Sequence, residues 1–344
     1  MNHNIYFMTI EGSKMMQDDR DNNYISPYAS SNYQRAYKET EKYDTEENMD
    51  PVYSAAKVAY SKEDFLEEAY ISEEKYDQMV SRLARKKNII MQGAPGVGKS
   101  FLAKRLAFSL IGKKDEGKVA MVQFHQSYAY EDFVMGFRPN ESGGFYLEKG
   151  IFYSFCRKAK DHPDTPYFFI IDEINRGNLS KIFGELLLLI EADKRDKKFA
   201  MPTTYSKELF FIPDNLFIVG LMNTADRSLA LMDYALRRRF SFIEIEPAFG
   251  DNFKKYTDLF QHTKLDKVIQ VVMNINEAIN KDEALGRGFR IGHSYFSNLK
   301  NGSDAELMDI VECELIPLLE EYWVENPKKV MAYGKALKEA ILYD

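Results

Sequence analysis

The most constraining feature of the sequence is an eight-residue segment, GAPGVGKS, at positions 93–100. It fits the pattern GxxxxGK[ST], in which glycines let backbone N–H groups surround phosphate oxygens. A short apolar run over 88–92 precedes the segment and a helical pattern over 101–110 follows it. This placement favours a phosphate-binding loop over an ordinary glycine-rich turn. The predicted nucleotide-binding residues are Gly93, Ala94, Pro95, Gly96, Val97, Gly98, Lys99, Ser100 and Phe101.

The remaining apolar runs indicate a parallel sheet. Strand-length runs at 119–124, 167–171, 216–221 and 240–245 alternate with helical patterns. Strands that alternate with helices predict an α/β fold, here a three-layer α/β/α domain around a parallel sheet. Two interruptions, at 137–152 and 199–212, have the character of hairpins. After Pro247 only helical patterns remain, over 265–281, 304–322 and 327–342.

These patterns divide the 344 residues into three parts. Residues 1–56 lack leucine and are rich in Tyr, Asn, Ser and Asp, so we expect a disordered or weakly ordered tail. Its tyrosines could instead dock on a partner. Residues 57–249 form the predicted α/β core, and residues 250–344 form a predicted helical lid.

Two further strand ends carry candidate catalytic groups. The run YFFIIDEIN, at 167–175, places Asp172 and Glu173 at the carboxyl edge of a buried strand, where ligands of parallel sheets collect. Lys99 would reach the β and γ phosphates, and Ser100 and Asp172 would hold Mg²⁺. Glu173 would orient or deprotonate the attacking water. Taken alone, the acidic pair could be a solvated strand end.

Asn223 follows the strand over 216–221 and could hydrogen-bond the attacking water or the γ phosphate, or be a turn residue. Three consecutive arginines follow at 237–239. They could form a solvated face, but planar guanidinium groups also neutralise the transition state of phosphoryl transfer, often from a neighbouring subunit. This second interpretation favours a ring.

These motifs, in this order, resemble the AAA+ ATPase superfamily. Four segments resemble the McrB family in particular, the GTP-hydrolysing subunit of the modified-cytosine restriction system McrBC. They lie at 124–139, 170–195, 220–247 and 288–296, and the third includes the family's signature MNTADRS.

The resemblance implies a homo-oligomeric motor, a hexameric ring that hydrolyses GTP with Mg²⁺ and is stimulated by a partner nuclease subunit, McrC. It implies roles around the attacking water and metal for Thr224 and Asp226, besides those of Asp172, Glu173 and Asn223. One of Arg237 and Arg238 would act as an arginine finger on the neighbouring subunit's nucleotide and the other as an interface arginine, and which has which role is left open. The resemblance also implies that Arg176 and Arg227 lie at the subunit contact. Arg290 could be a sensor of the γ phosphate or part of a domain-interface salt bridge.

Several alternatives stay open. ATP is the superfamily's default nucleotide, and the near match to NKxD at 280–283 carries no weight because its fourth position fails. A MoxR-type ATPase that remodels protein complexes, a non-catalytic oligomer and a stand-alone nuclease are the other candidate functions. His125 and His293 could each sense a phosphate or be structural.

The remaining expectations concern DNA and location. Family members carry an N-terminal DNA-binding domain that the tail does not resemble, so recognition of DNA is expected through a partner or a missing domain. The formal charge, 46 basic against 53 acidic residues, argues against a surface that binds nucleic acid by bulk charge. No run reaches about 18 apolar residues, and two distant cysteines suit a reducing compartment, so we expect a cytoplasmic protein with no membrane contact.

Overall fold

The computed structural model describes residues 58–141, 143–226, 234–260 and 262–343. All of them belong to one compact unit, Ala56–Asp344. The predicted tail lies outside the described residues, and so does Arg227.

A five-stranded parallel sheet forms the centre of the α/β core. Its strands are β1 (Asn88–Gly93), β2 (Val119–Gln123), β5 (Tyr167–Asp172), β8 (Leu216–Asn223) and β9 (Ser241–Glu244). Their order across the sheet is β2-β5-β8-β1-β9. The carboxyl ends of β5, β8 and β1 are therefore neighbours, and the register pairs Gly93 directly with Asn223.

Side chains that alternate between the two faces of the sheet explain why it is covered on both sides. Phe169 and Ile171 of β5 pack into one hydrophobic cluster, whereas Phe168 and Ile170 pack into another. Successive side chains of a strand point to opposite faces, so both faces of the sheet are covered. This confirms the predicted α/β fold with its parallel sheet.

The helices of the core run from α1 to α8. They are α1 (Lys62–Glu68), α2 (Glu73–Lys86), α3 (Lys99–Ile111), α4 (Tyr130–Phe133), α5 (Ile151–Asp161), α6 (Leu179–Phe183), α7 (Leu186–Leu189) and α8 (Tyr234–Arg237). Ser61 begins α1 with a reciprocal capping box to Asp64, and Ser72 caps α2.

Both predicted hairpins are present. Strands β3 (Met135–Pro139) and β4 (Phe145–Lys149) pair antiparallel, as do the two-residue strands β6 (Met201–Pro202) and β7 (Leu209–Phe210). The first hairpin begins and ends earlier than the predicted 137–152, and its second strand stops at Lys149 because Ile151 already begins α5.

The C-terminal part is helical, with its own hydrophobic cluster. Its helices are α9 (Asp251–Asp258), α10 (Thr263–Lys281), α11 (Asp304–Ile310), α12 (Ile316–Tyr322) and α13 (Pro327–Leu342). The helix predicted over 304–322 is interrupted by a π turn at Val311–Leu315. Pro317 has no N–H to continue the α-helical ladder, which accounts for the altered turn before it. None of the helices in the described ranges is long and apolar enough to cross a membrane.

Candidate functional site

The phosphate loop joins the end of β1 to the start of α3. Gly96 and Gly98 both have φ of +75°, a left-handed conformation that residues with a side chain rarely adopt. Gly98 is also the N-cap residue of α3, so the N-terminus of that 13-residue helix opens directly at the loop. Phe101, in the first turn of α3, is 44% exposed and lies 4.8 Å from the Arg105 guanidinium. The loop thus has the geometry that its sequence predicts.

Lys99 is buried beneath this loop. Its Nζ donates to the carbonyl oxygens of Gly93, at 3.1 Å, and Ala94, at 2.9 Å. Burial lowers the pKa of the Lys99 ammonium to about 8, although the nearby charges of Glu173 and Asp172 oppose that shift. A phosphate group in the loop would offer this ammonium a stronger partner than two neutral carbonyls.

Ser100 and Asp172 supply the oxygen ligands expected for a magnesium ion. Ser100 Oγ donates to Asp172 Oδ2 at 3.3 Å, which brings a hydroxyl from α3 and a carboxylate from β5 together. Mg²⁺ is bound in such sites by one or two protein oxygens, with waters and substrate phosphates completing its octahedron. These two side chains therefore fit the group that the sequence predicts.

The acidic pair and the predicted sensor residue are in direct contact. Asn223 Nδ2 donates to Glu173 Oε1 at 2.5 Å, so the ends of β5 and β8 are joined by their side chains. Glu173 has φ of +50°, a left-handed conformation that costs a non-glycine residue of the order of 1 kcal/mol. Its amide N–H donates to Asp172 Oδ1 at 3.0 Å, which helps to hold this turn.

Arg176 extends this contact into a row of alternating charges. Its Nε lies 3.2 Å from Glu173 Oε2, and its Nη2 lies 3.0 Å from Asp226 Oδ2. The family resemblance implies a place at the subunit contact for Arg176 and a role around the attacking water and metal for Asp226, and in the structure Arg176 connects Asp226 to Glu173. The Arg176 side chain is 45% exposed, so one side of this row of charges faces solvent.

Arg237 and Arg238 have different surroundings from the residues at Glu173. Both are exposed, at the end of α8 and in the turn after it. Arg238 Nη2 lies 3.0 Å from Glu191 Oε1, and the Arg237 guanidinium lies 5.9 Å from the centre of the Phe242 ring. Exposure suits residues that would act on a neighbouring subunit, and that role stays a prediction.

A turn of the lid lies directly against the phosphate loop. Ser294 N donates to the Gly96 carbonyl oxygen at 2.9 Å. A Cβ added to Gly292 would lie 2.0 Å from the carbonyl carbon and oxygen of Gly96, so the two backbones leave no space for a side chain. We call residues 292–294 the lid clasp. Neither its contact with the loop nor its need for glycine follows from the motif pattern, although 288–296 is one of the segments that resemble the McrB family.

His293, in the lid clasp, is a buried histidine whose Nδ1 accepts from Ala248 N at 3.1 Å. Burial lowers its pKa to about 4, so the imidazole is neutral at pH 7. Nδ1 as acceptor leaves the proton on Nε2, which faces Gly98. These contacts match the structural alternative for His293. His125 is exposed, with its ring 5.5 Å from that of Tyr128.

Arg290 belongs to the lid and pairs with the core. Its Nη2 lies 3.0 Å from Glu246 Oε1 and 3.6 Å from Glu244 Oε1. This is the domain-interface salt bridge named as the alternative to a phosphate sensor, and the sensor role stays a prediction. Thr224 makes a second contact with the lid, since its Oγ1 donates to the Gly288 carbonyl at 3.1 Å. Its amide N–H donates to the Gly93 carbonyl at 3.1 Å.

Comparisons with known proteins find relatives of both the α/β core and the lid. Residues 88–240 match the family model "AAA domain (dynein-related subfamily)", and residues 267–331 match "McrB, alpha-helical lid domain". The chain is 50% identical over 290 residues to the "Type IV methyl-directed restriction enzyme EcoKMcrB subunit" of Escherichia coli K12, a match covering 81% of this chain and 63% of that protein.

Two further similarities are more distant. The "Type II restriction enzyme BsuMI component YdiS" of Bacillus subtilis 168 is 28% identical over 199 residues, 46% of this chain and 57% of that protein. A crystal structure of a protein described as an ATPase, from Cytophaga hutchinsonii, is 15% identical with a TM-score of 0.33, covering 52% of this chain and 48% of that one. The chain spans less than two thirds of the length of each of the two restriction-enzyme relatives.

Proposed function

Because this chain is a McrB-like AAA protein through both its α/β core and its lid, we propose that it hydrolyses a nucleoside triphosphate as the motor subunit of a modified-DNA restriction system. The reaction is attack of water on the γ phosphate of GTP, with ATP as the alternative substrate. The preference for GTP rests on the likeness to the McrB family, since the guanine-reading motif is incomplete.

One observation carries the proposal. The loop that holds Lys99, the hydroxyl of Ser100 and the carboxylates of Asp172 and Glu173 meet at a single edge of the sheet, together with the amide of Asn223. Phosphoryl transfer needs little else, because its catalysis consists mainly of positioning and of neutralising charge on the phosphoryl oxygens.

Each side chain has a distinct task in this reaction. Lys99 exchanges its carbonyl partners for the β and γ phosphate oxygens. Mg²⁺, when bound through Ser100 and Asp172, neutralises charge on the phosphates. Glu173 orients and deprotonates the attacking water, and Asn223 holds the Glu173 carboxylate in place through the 2.5 Å hydrogen bond.

Further residues complete the proposal. Arg176 and Asp226 fix the far side of the Glu173 carboxylate, and Arg290 contacts the γ phosphate if the lid turns toward it. Arg237 or Arg238 acts on the nucleotide of the next subunit, so turnover depends on assembly into a ring, a hexamer by likeness to the family.

DNA enters the proposal through partners. The E. coli relative is named as a subunit of a methyl-directed restriction enzyme. We infer that cleavage is supplied by a McrC-like nuclease subunit, that this chain supplies nucleotide-driven movement in the cytoplasm, and that DNA is contacted through the partner or another domain.

The test measures GTP and ATP turnover by the full chain with Mg²⁺, with and without the product of the adjacent gene. We expect GTP turnover that the adjacent product stimulates. In Glu173→Gln, we expect turnover to fall by a factor of about 10² to 10⁴ while nucleotide affinity is kept, because the base is lost and the loop is intact.

Glu312→Gln is the matched control, since it removes a carboxylate that pairs with Lys338 on the lid surface. Normal turnover in E173Q would refute the catalytic assignment. Turnover of ATP alone, without an effect of the adjacent product, would favour a MoxR-like remodelling ATPase instead.

A further inference from the structure

The three consecutive arginines occupy different environments. Arg239 is 8% exposed, whereas the Arg238 side chain is 67% exposed. Their Nη2 atoms nevertheless reach the same oxygen, Glu191 Oε1, at 2.8 Å from Arg239 and 3.0 Å from Arg238. One carboxylate oxygen therefore holds a buried and an exposed guanidinium of this arginine segment, residues 237–239, at the same point.

The backbone of the arginine segment is held as well. Lys86 Nζ, at the end of α2, donates to the Arg238 carbonyl at 2.9 Å. Asn88 Nδ2, at the start of β1, donates to the Arg239 carbonyl at 3.1 Å. Both contacts come from residues about 150 positions earlier in the sequence. The core therefore holds the main chain of the arginine segment, and Glu191 holds the side chains of Arg238 and Arg239.

Glu191 is itself tied to this core. The carbonyl of the preceding Ile190 accepts from Asn88 Nδ2 at 2.7 Å and from Arg195 Nε at 3.1 Å. Arg195 Nη2 donates to Asn88 Oδ1 at 2.7 Å, and Nη1 donates to the Leu216 carbonyl at 2.9 Å. Asn88 thus connects the residue before Glu191 with the arginine segment.

Buried hydrogen bonds from Arg195 help to hold this region in one geometry. Its guanidinium is buried, and burial lowers its pKa to about 10. A buried cation held by neutral oxygens is costly unless its hydrogen bonds are well made. Here its Nε, Nη1 and Nη2 each donate to an oxygen on a different part of the core, and displacement of the main chain next to Glu191 would break the Nε bond to the Ile190 carbonyl.

We propose that Glu191 is a positioning residue for hydrolysis, which orients the arginine segment toward the nucleotide of the neighbouring subunit. The inference rests on the proposed function, in which Arg237 or Arg238 acts across the subunit contact. Glu191 touches no nucleotide in this scheme. It acts through Arg238 and Arg239, and its loss should impair the neighbour's hydrolysis and leave the subunit's own phosphate loop intact.

The first experiment compares Glu191→Ala and Glu191→Gln with the control Glu312→Gln. At saturating GTP, or at saturating ATP if that is the substrate, we expect turnover by E191A to fall at least about tenfold, because a displaced arginine finger loses much of its effect. Nucleotide affinity should change by less than about twofold, since ground-state binding is not altered. E191Q keeps an acceptor oxygen and should lie between E191A and wild type.

The second experiment separates positioning from damage to the fold. E191A subunits keep their own Glu173, and E173Q subunits keep their own arginine segment. When the two are co-expressed, about a quarter of the contacts in a randomly mixed ring join an intact site to an intact arginine segment. We expect turnover to recover toward about a quarter of the wild-type value, although each variant alone should show about a tenth of that value or less.

The outcomes distinguish the inference from the proposed function. Wild-type turnover in E173Q alone would refute the proposed function. An inactive E173Q beside a fully active E191A would refute only the role of Glu191. An inactive E191A that E173Q subunits do not rescue would mean that Glu191 only supports the fold of its own subunit, and would equally overturn the inference.

Discussion

The pKa of Lys99 leads to a quantitative prediction about nucleotide binding. In the nucleotide-free protein, burial lowers this pKa from 10.5 to about 8. Bound phosphates favour the charged ammonium and should return the pKa to its usual value or above. Because the free protein has lost the proton above pH 8 and the complex keeps it, binding must be accompanied by proton uptake.

The magnitude follows from the titration of one group. With a pKa of about 8, Lys99 is about 90% charged at pH 7, half charged at pH 8 and about 10% charged at pH 9. Proton uptake on binding should therefore rise from about 0.1 to about 0.5 and then to about 0.9 proton per nucleotide over these three values. Affinity should be nearly constant below pH 8 and fall about tenfold per pH unit between pH 8 and 10.

The same shift affects stability. Since the folded pKa is lower than the unfolded one, the unfolded chain binds more protons between pH 8 and 10.5. Charged Lys99 therefore destabilises the nucleotide-free protein by up to about 3 kcal/mol below pH 8, and this penalty disappears as the pH rises to 10.5.

The assay is isothermal titration calorimetry of E173Q, which should bind nucleotide without turnover, in pairs of buffers that differ in ionisation enthalpy. The phosphates of the nucleotide contribute little to the measured proton uptake above pH 8, because their last pKa is about 6. Adding Lys99→Arg to E173Q gives the control, since a guanidinium stays charged over this range and should take up no proton. Uptake below about 0.2 proton at pH 9, or constant affinity between pH 8 and 10, would refute the reasoning.

Three further predictions test the site and the core. Gly292→Ala should weaken nucleotide binding and lower the free energy of unfolding by about 2 to 4 kcal/mol. The reason is that its Cβ would force the lid clasp away from Gly96 and break a hydrogen bond. Urea denaturation measures the loss of stability, and the control Gly250→Ala, whose Cβ meets no atom within 4 Å, should change it little. Asn223→Ala should reduce turnover about tenfold or more with normal nucleotide affinity, since Glu173 loses its hydrogen-bond donor; an unchanged turnover number would contradict this. Ellman titration should find one reactive thiol in the native protein and two in urea, because Cys313 is exposed whereas Cys156 is buried and burial raises its pKa.

The sequence by itself determined which local segments carry the candidate site. The glycines, Lys99 and Ser100 lie within eight consecutive residues, and Asp172 and Glu173 directly follow an apolar run. Such features depend on local periodicity and on backbone preferences, which neighbouring residues determine. For the same reason, all five strands of the sheet and most of the lid helices lie close to their predicted positions.

Tertiary structure decided what depends on distant residues. The order β2-β5-β8-β1-β9 joins Asn223 to Glu173, although the two are 50 positions apart. The lid clasp depends on two backbones in contact, and Glu191 and Asn88 reach the arginine segment from remote parts of the sequence. Periodicity contains no information about such pairings, since they are selected by the packing free energy of the whole core.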